Sequence, residues 1–188
     1  MQRRTALRLL GATAAVAALP DDLTAVGRSI HQHVGGAGLQ VLDPHQNATV
    51  TTLTDLILPE TDTPGAKAAK VNEFIDLLLS AWVDPPDKDK FLAGLADVDT
   101  RAKAAFGKTF VEGSVAEQTG VLTALDDETA RWSAMPDAAK GPEPFYHQLK
   151  WVTLFGYYTS EVGAQASHYE IIPLRYVPCA PADSAASE

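Results

Sequence analysis

Two carboxylates lie close together in the stretch LPETDTPGA, and their type and spacing suit either metal binding or acid–base chemistry. Glu60 and Asp62 alternate with two threonines between two prolines. A metal site would need further ligands from elsewhere in the chain, and the neighbouring sequence supplies none. The same residue types suit a turn, because proline stops a helix and threonine and aspartate bond local backbone amides.

We therefore predict that this stretch is a structural loop between two helices. Pro59 should end the preceding helix, Thr63 and Pro64 resemble an N-cap followed by proline at the first helical position, and Gly65 allows close packing. The predicted loop consists of Pro59, Glu60, Thr61, Asp62, Thr63, Pro64 and Gly65.

The histidines are the other residues that could bind a metal. They are His31, His33, His45, His147 and His168. His31 and His33 would lie on one side of a strand, but their surroundings are rich in glycine and typical of a linker. We interpret His147 and His168 as packing residues, with a metal site as the alternative.

Motifs of established enzyme chemistry do not occur in this sequence. Ser160 lacks the GxSxG pattern of a nucleophile elbow, and we expect it in the middle of a helix with its hydroxyl bonded to a backbone carbonyl. Neither GxGxxG, a phosphate-binding loop nor HExxH is present. We predict no catalytic, cofactor or metal residues in this chain.

The N-terminus is typical of a twin-arginine export signal. Arg3 and Arg4 form the pair, Leu7 follows three positions later, and a mildly apolar run ends near residue 19. The alternative is an apolar first helix of the folded domain, which is less favoured because the run lacks a polar face and is about half the length of a membrane span. The twin-arginine route carries folded proteins, often with a cofactor-loaded partner, so this signal points to a redox complex.

A single cysteine, Cys179, lies close to the C-terminus. In an exported protein a lone cysteine indicates an intermolecular disulfide or a free thiol, and an inert, half-buried side chain is the alternative. Without a CxxCH motif or further cysteines, the chain cannot by itself attach haem covalently or hold an iron–sulfur cluster.

Composition predicts one modest globular domain. The chain has 188 residues, 46% hydrophobic and 21% charged, with a formal net charge of −9. The residues before Pro20 contribute three arginines and no acid, so the remainder is more acidic still. This balance argues against binding to nucleic acid or to an anionic membrane, because both need a basic surface.

Hydrophobic periodicity predicts an all-α fold of about five helices with an extended, proline-rich C-terminal tail. The domain plan is a signal at 1–19, a linker at 20–46, the helical domain at 47–181 and a flexible tail at 182–188. A capping box at Ser114 and Glu117 should begin the fourth helix, and the fifth, most apolar helix should be central or buried against a partner. The predicted helices cover 47–58, 71–82, 87–106, 114–132 and 144–164.

Several runs, in order, resemble the gluconate 2-dehydrogenase subunit 3 family. They are ILPETDTPGA, an FID-containing helix, FLAGLADVD, LKWVTLFGYYTSEVG and PLRYVPCAP, and together they extend from about Thr49 to Pro181. The PETDTPGA and YYTSE runs are the most specific. Members of this family are the small, or gamma, subunits of periplasmic flavin-dependent sugar and sugar-acid dehydrogenases.

The resemblance implies a non-catalytic subunit that works beside an enzyme. In such complexes a large flavoprotein of the glucose–methanol–choline oxidoreductase type holds FAD and oxidises the sugar. Its electrons pass to a cytochrome c subunit or another acceptor. The small subunit carries the twin-arginine signal and assists folding and export of the large one. Gluconate, glucose, sorbitol and glycosides oxidised at the 3-position are all compatible substrates.

The resemblance also implies where the partner binds. We expect Cys179 to form a disulfide with the large subunit. We expect five residues to lie in or near the interface: Phe155, Tyr157, Tyr158, Glu161 and Tyr176. The alternative hypothesis is a free-standing exported helical domain that binds a small ligand or metal through its histidines and the loop at 59–65. That hypothesis predicts a stable monomer, whereas a subunit should behave poorly alone.

Overall fold

The structure is a computed structural model that describes residues 21–32, 34, 38–167 and 169. Arg3, Arg4, Leu7, Tyr176 and Cys179 therefore lie outside the described residues, as does the predicted tail at 182–188. Within the described ranges the chain forms helices and no strand, which confirms the all-α prediction. None of the helices described is both long and apolar enough to span a membrane.

The described part of the chain contains seven α-helices rather than about five. Two short 3₁₀ turns, Phe110–Glu112 and Asp137–Ala139, flank the fifth helix. The α-helices are α1 Asp21–His31, α2 Pro44–Ile57, α3 Val71–Ala81, α4 Pro85–Phe106, α5 Val115–Ser133, α6 Phe145–Tyr158 and α7 Glu161–Ala166.

Local signals set most of the helix boundaries. The capping box predicted at the start of α5 is present, with the Glu117 carboxylate accepting from the Ser114 amide at 2.7 Å. An equivalent box begins α2, where the Asp43 carboxylate accepts from the Gln46 amide at 2.8 Å. Gly107, with φ of 77°, ends α4 in the left-handed conformation that glycine favours.

The last long helix differs from the prediction because it breaks after Tyr158. Ser160 is the N-cap of α7 rather than a mid-helix residue: its hydroxyl accepts from the Gly163 amide at 3.0 Å and donates to the Tyr157 carbonyl at 2.6 Å. A Cβ atom at Gly163 would lie 2.1 Å from that carbonyl oxygen. The chain can fold back this closely only because residue 163 is glycine.

Helix α6 is the centre of the domain, as predicted. It contacts α2, α3, α4, α5 and α7. Phe155 of α6 meets Phe74 of α3 edge to face, with ring centroids 5.7 Å apart. The Phe74 ring also fills the space beside Gly156, where a Cβ would approach it to 2.8 Å. The largest fully buried side chains include Phe74, Phe110, Phe155, Leu53, Ile75 and Leu149.

Within 20–46 the linker prediction is corrected for the described residues, because α1 packs on the domain. Ile30 on α1 is 3% exposed and belongs to the core, and Val26 and Val34, four residues to either side, pack against it. The His31 ring stacks on Phe74 at 4.7 Å, and its Nε2 lies 2.7 Å from the Gly156 carbonyl oxygen. Val26 and Ile30, four positions apart, lie on one face of α1. That face is buried by packing against α3 and α6.

A buried carboxylate fixes the connection from α1 to α2. Asp76 is 2% exposed and accepts from three consecutive backbone amides, at 2.7 Å from Gln40, 2.9 Å from Val41 and 2.8 Å from Leu42. Three amide donors compensate the cost of burying the charge. The residues before α2 are thereby attached to α3.

Candidate functional site

The loop at 59–65 bonds to itself. Its residues 60–64 are exposed, the Thr61 amide donates to the Thr63 carbonyl at 3.0 Å, and the Thr61 hydroxyl donates to Asp62 Oδ1 at 2.9 Å. A bond of 2.9 Å from the Ala66 amide to the Leu58 carbonyl closes the turn. Among the described residues, no group of three histidine, cysteine, aspartate or glutamate side chains is placed to hold a metal ion.

Gly65 is required in this loop by close packing rather than by a positive φ. A Cβ atom there would lie 2.6 Å from the Glu60 nitrogen and 2.7 Å from the Leu58 oxygen. The prediction that Thr63 caps a helix starting at Pro64 is wrong. Residues 66–70 form hydrogen-bonded turns, and α3 begins only after Lys70, whose φ of 51° is left-handed.

A long-range hydrogen bond ties this loop to α6. The Tyr157 hydroxyl donates to the Pro64 carbonyl at 2.6 Å. Tyr157 is 5% exposed, and its ring borders Gly163 of α7. The two runs with the most specific family resemblance, PETDTPGA and YYTSE, are therefore neighbours in space.

The predicted interface residues do not share one surface. Phe155 is 1% exposed and stacks on Trp151 at 4.9 Å, and Tyr157 is 5% exposed, so both side chains pack within the core of this chain. A place in or near the interface stays a prediction for these two. Tyr158 is 38% exposed and Glu161 is exposed, so they remain candidates, while Tyr176 lies outside the described residues.

Three described histidines have local partners. Burial lowers the pKa of His31, and the bond to the Gly156 carbonyl only partly opposes this effect. His45 pairs with Asp99 and His147 with Glu143. Burial alone would raise the pKa of Asp99, but bonds from His45 and the Phe110 amide outweigh it and lower that pKa. The His147 ring also lies beside Trp132, with ring centroids 5.1 Å apart, whereas the His45 side chain is 47% exposed. Glu143, four residues before His147, was the overlooked signal.

Sequence reasoning missed a concave feature of the described helices, which we call the α3–α4–α6 groove. Its volume is about 370 Å³. The end of α3, the start of α4 and the first half of α6 form its walls. Trp151 was available as a signal, because the aromatic residues of α6 surround the helix instead of occupying one face. The groove is lined by Ile75, Leu78, Leu79, Val83, Asp87, Lys90, Phe91, Pro142, Glu143, Gln148, Trp151 and Val152.

The groove has an apolar interior and a charged rim. Leu79 and Phe91 are 3% and 6% exposed and form part of the interior. At the rim, Lys90 donates to Asp87 at 2.8 Å, and Glu143 is held by His147 and by Gln148 Nε2 at 3.4 Å. The polar groups are thus bonded to one another at the edge, which leaves the apolar interior available for a bound molecule.

Comparison with known families gives one match. The model of the family described as gluconate 2-dehydrogenase subunit 3 matches residues 44–178, which is most of the chain. No curated protein and no solved structure shows significant similarity. The matched range begins at the first residue of α2 and includes the loop at 59–65, the α3–α4–α6 groove and α7.

Proposed function

This chain belongs to the gluconate 2-dehydrogenase subunit 3 family, and we propose that it is the non-catalytic small subunit of a periplasmic FAD-dependent sugar or sugar-acid dehydrogenase. The family is an accessory subunit of a dehydrogenase complex. The match over residues 44–178 is the observation that carries the proposal, because it spans nearly the whole described helical domain.

In this proposal the chemistry takes place on another chain. A large flavoprotein of the glucose–methanol–choline type holds FAD and removes hydride from a carbon that bears a hydroxyl group. Electrons then pass to a cytochrome c subunit or another acceptor. Self-bonded surface groups such as Thr61 and Asp62 support a structural rather than a catalytic part for the loop at 59–65. Gluconate, glucose, sorbitol and glycosides remain the candidate substrates.

The proposal also gives the chain an export role. The twin-arginine pair stands in this subunit, and the twin-arginine route accepts folded cargo. A flavoprotein without a signal of its own would cross the membrane bound to this chain. The helical domain would then serve as escort and as stabilising subunit.

Changing the arginine pair tests this proposal. In the organism that encodes the chain, Arg3→Lys together with Arg4→Lys keeps the charge but removes the pair. We expect the flavoprotein and its dehydrogenase activity to accumulate in the cytoplasm. Arg8→Lys is the matched control, because it makes the same change outside the pair and should leave both in the periplasm.

The outcome of fractionation decides between the possibilities. Normal export of the flavoprotein by the double variant would overturn the escort role. Recovery of the wild-type chain as a stable monomer, with no flavin-containing partner, would overturn the subunit role itself and favour the free-standing domain.

A further inference from the structure

We propose that the α3–α4–α6 groove is the docking site for a segment of the catalytic flavoprotein subunit. That segment inserts apolar side chains into the groove and sets a basic residue against its rim. The inference rests on the proposed function, because it names the surface by which the small subunit holds its partner.

The interior of the groove has the character of a protein interface core. Leu79, Phe91 and Val152 line it and are between 3% and 6% exposed, while Val83 and Trp151 are half-buried. The Trp151 ring is held in place by stacking on Phe155 at 4.9 Å with an interplanar angle of 21°. A fixed tryptophan beside an apolar hollow is the kind of side chain that dominates binding energy at protein interfaces.

The placement of the polar groups favours a protein segment over a small ligand. Small-molecule sites direct a few polar groups at the ligand to fix its orientation. Here the polar side chains bond to one another at the edge, Asp87 to Lys90 and Glu143 to His147. An apolar centre within a polar rim is instead the usual anatomy of a protein–protein contact.

The charge of the rim indicates the chemistry of the partner segment. The groove lining holds two carboxylates and one ammonium: Lys90 bonds to Asp87, and Glu143, which bonds to His147, is the carboxylate in excess. The whole chain carries −9. A lysine or arginine at the edge of the partner segment would be attracted to this rim. An acidic segment would be repelled, which improves the selection of the right partner.

The groove lies away from α1 and α7, the first and last helices of the described chain. Gly27 of α1 packs on Thr159 and His31 packs on Gly156, so α1 runs antiparallel to α6 and starts beyond its C-terminal end. Helix α7 also follows that end. The groove residues Gln148 and Val152 lie roughly 10–17 Å from Thr159 along the helix axis, so a partner segment can occupy the groove without displacing α1 or α7.

A charged substitution in the groove wall tests the docking. The full-length chain carrying an affinity tag is produced in the organism that encodes it, and the FAD recovered per mole of tagged chain is measured. We expect Val83→Asp to lower that ratio at least tenfold, because a carboxylate would be placed against the partner's apolar side chains. Val115→Asp is the control: Val115 is 71% exposed and lies outside the groove.

A charge reversal provides the second arm. Asp87→Lys should lower the FAD ratio severalfold, and the loss should shrink as salt is raised. Asp89→Lys, which makes the same change on the same exposed stretch of α4 but does not line the groove, should leave the ratio unchanged. Circular dichroism and the unfolding temperature identify any variant that fails to fold.

Photocrosslinking decides the matter without relying on a destabilising change. With benzoylphenylalanine in place of Val83, we expect the crosslinked peptide to come from the flavin-bearing subunit and to contain apolar residues next to a lysine or arginine. A crosslink only to residues 168–188 of this chain, or to a second copy, would overturn the docking. So would an unchanged FAD ratio in properly folded Val83→Asp. If the wild-type chain carries no flavoprotein at all, the proposed function itself fails, which is a distinguishable result.

Discussion

The hydroxyl of Tyr157 donates a 2.6 Å hydrogen bond to the carbonyl of Pro64, although the two residues are 93 positions apart. This bond connects the exposed loop at 59–65 to the central helix α6. Because Tyr157 also borders Gly163, this one side chain contacts both the loop and the start of α7 from the end of α6. The two runs that carry the family resemblance are thus parts of one structural unit.

Removing that hydroxyl should loosen the loop without damaging the core. We expect Tyr157→Phe to lower the free energy of unfolding by about 1 kcal/mol, since one hydrogen bond is lost and the ring stays in place. Hydrogen exchange at the Thr61 and Ala66 amides should accelerate. The matched control is Tyr158→Phe, because Tyr158 is 38% exposed. Loss of its hydroxyl should change neither the free energy of unfolding nor the exchange of those two amides. Equal effects from the two variants would contradict the role assigned to Tyr157.

A methyl group at Gly65 should strain the loop. The Gly65→Ala side chain would lie 2.6 Å from the Glu60 nitrogen, so backbone must move, and we expect a loss of about 1–3 kcal/mol in chemical unfolding. Gly120→Ala is the control, because nothing lies within 4 Å of a Cβ there. That change on the exposed side of α5 should stabilise the chain by about 0.5–1 kcal/mol. A neutral Gly65→Ala would refute the packing explanation.

The Asp76 carboxylate should be a major support of the segment before α2. In Asp76→Asn one acceptor oxygen is replaced by an NH₂ group that faces amide donors. We expect the free energy of unfolding to fall by roughly 2–3 kcal/mol, with faster hydrogen exchange at Gln40, Val41 and Leu42. The exposed Asp89→Asn should stay within about 0.5 kcal/mol of wild type. Unchanged protection of those three amides would show that they do not depend on Asp76.

Stability should depend on pH through His31. Burial lowers the pKa of this residue below its ordinary 6.5 in the folded chain, so the unfolded chain binds the proton more readily. The contribution of neutral His31 to the free energy of unfolding is therefore fully present above about pH 6.5. It is lost as pH falls toward the pKa of His31 in the folded chain. Denaturant unfolding between pH 7 and pH 5 should show a smaller decline for His31→Gln, which keeps a donor for the Gly156 carbonyl. Identical slopes for both proteins would contradict this account.

Cys179 should bond to the flavoprotein subunit if the proposed complex forms. Non-reducing electrophoresis of the purified complex should give one heavy band that separates into two on reduction. Cys179→Ser should give two bands under both conditions. Two separate bands from the unreduced wild-type complex would rule out the disulfide while leaving non-covalent association intact.

Sequence patterns predicted the interior of this fold well where apolar residues repeat at helical spacing. On α4 the apolar residues at helical spacing Phe91, Leu95, Val98 and Ala102 are buried, whereas Ala105 in the last turn is exposed. The Ser114 capping box begins α5. Both signals are local, because they depend on residues three or four positions apart. The family resemblance could also be recognised from the sequence, because each run that carries it is continuous.

The sequence-based predictions were wrong where a segment takes its structure from contacts with another part of the chain. Val26, Ile30 and Val34 share one face of the chain around α1, but a short glycine- and histidine-containing stretch gives little propensity of its own and is stabilised only by packing on Phe74 and Gly156. The break after Tyr158 depends on how closely Gly163 approaches the Tyr157 carbonyl, a contact that residue type alone does not specify.

By itself, then, the sequence determined the helical class, most helix boundaries and the family, and it predicts an export signal at Arg3 and Arg4. Only the tertiary structure decided which aromatic residues are core and which face outward, because burial depends on every helix that surrounds a side chain. It also created the α3–α4–α6 groove, whose walls come from three helices separated in sequence. A concave surface of this kind exists only after packing, so no local pattern could have predicted it.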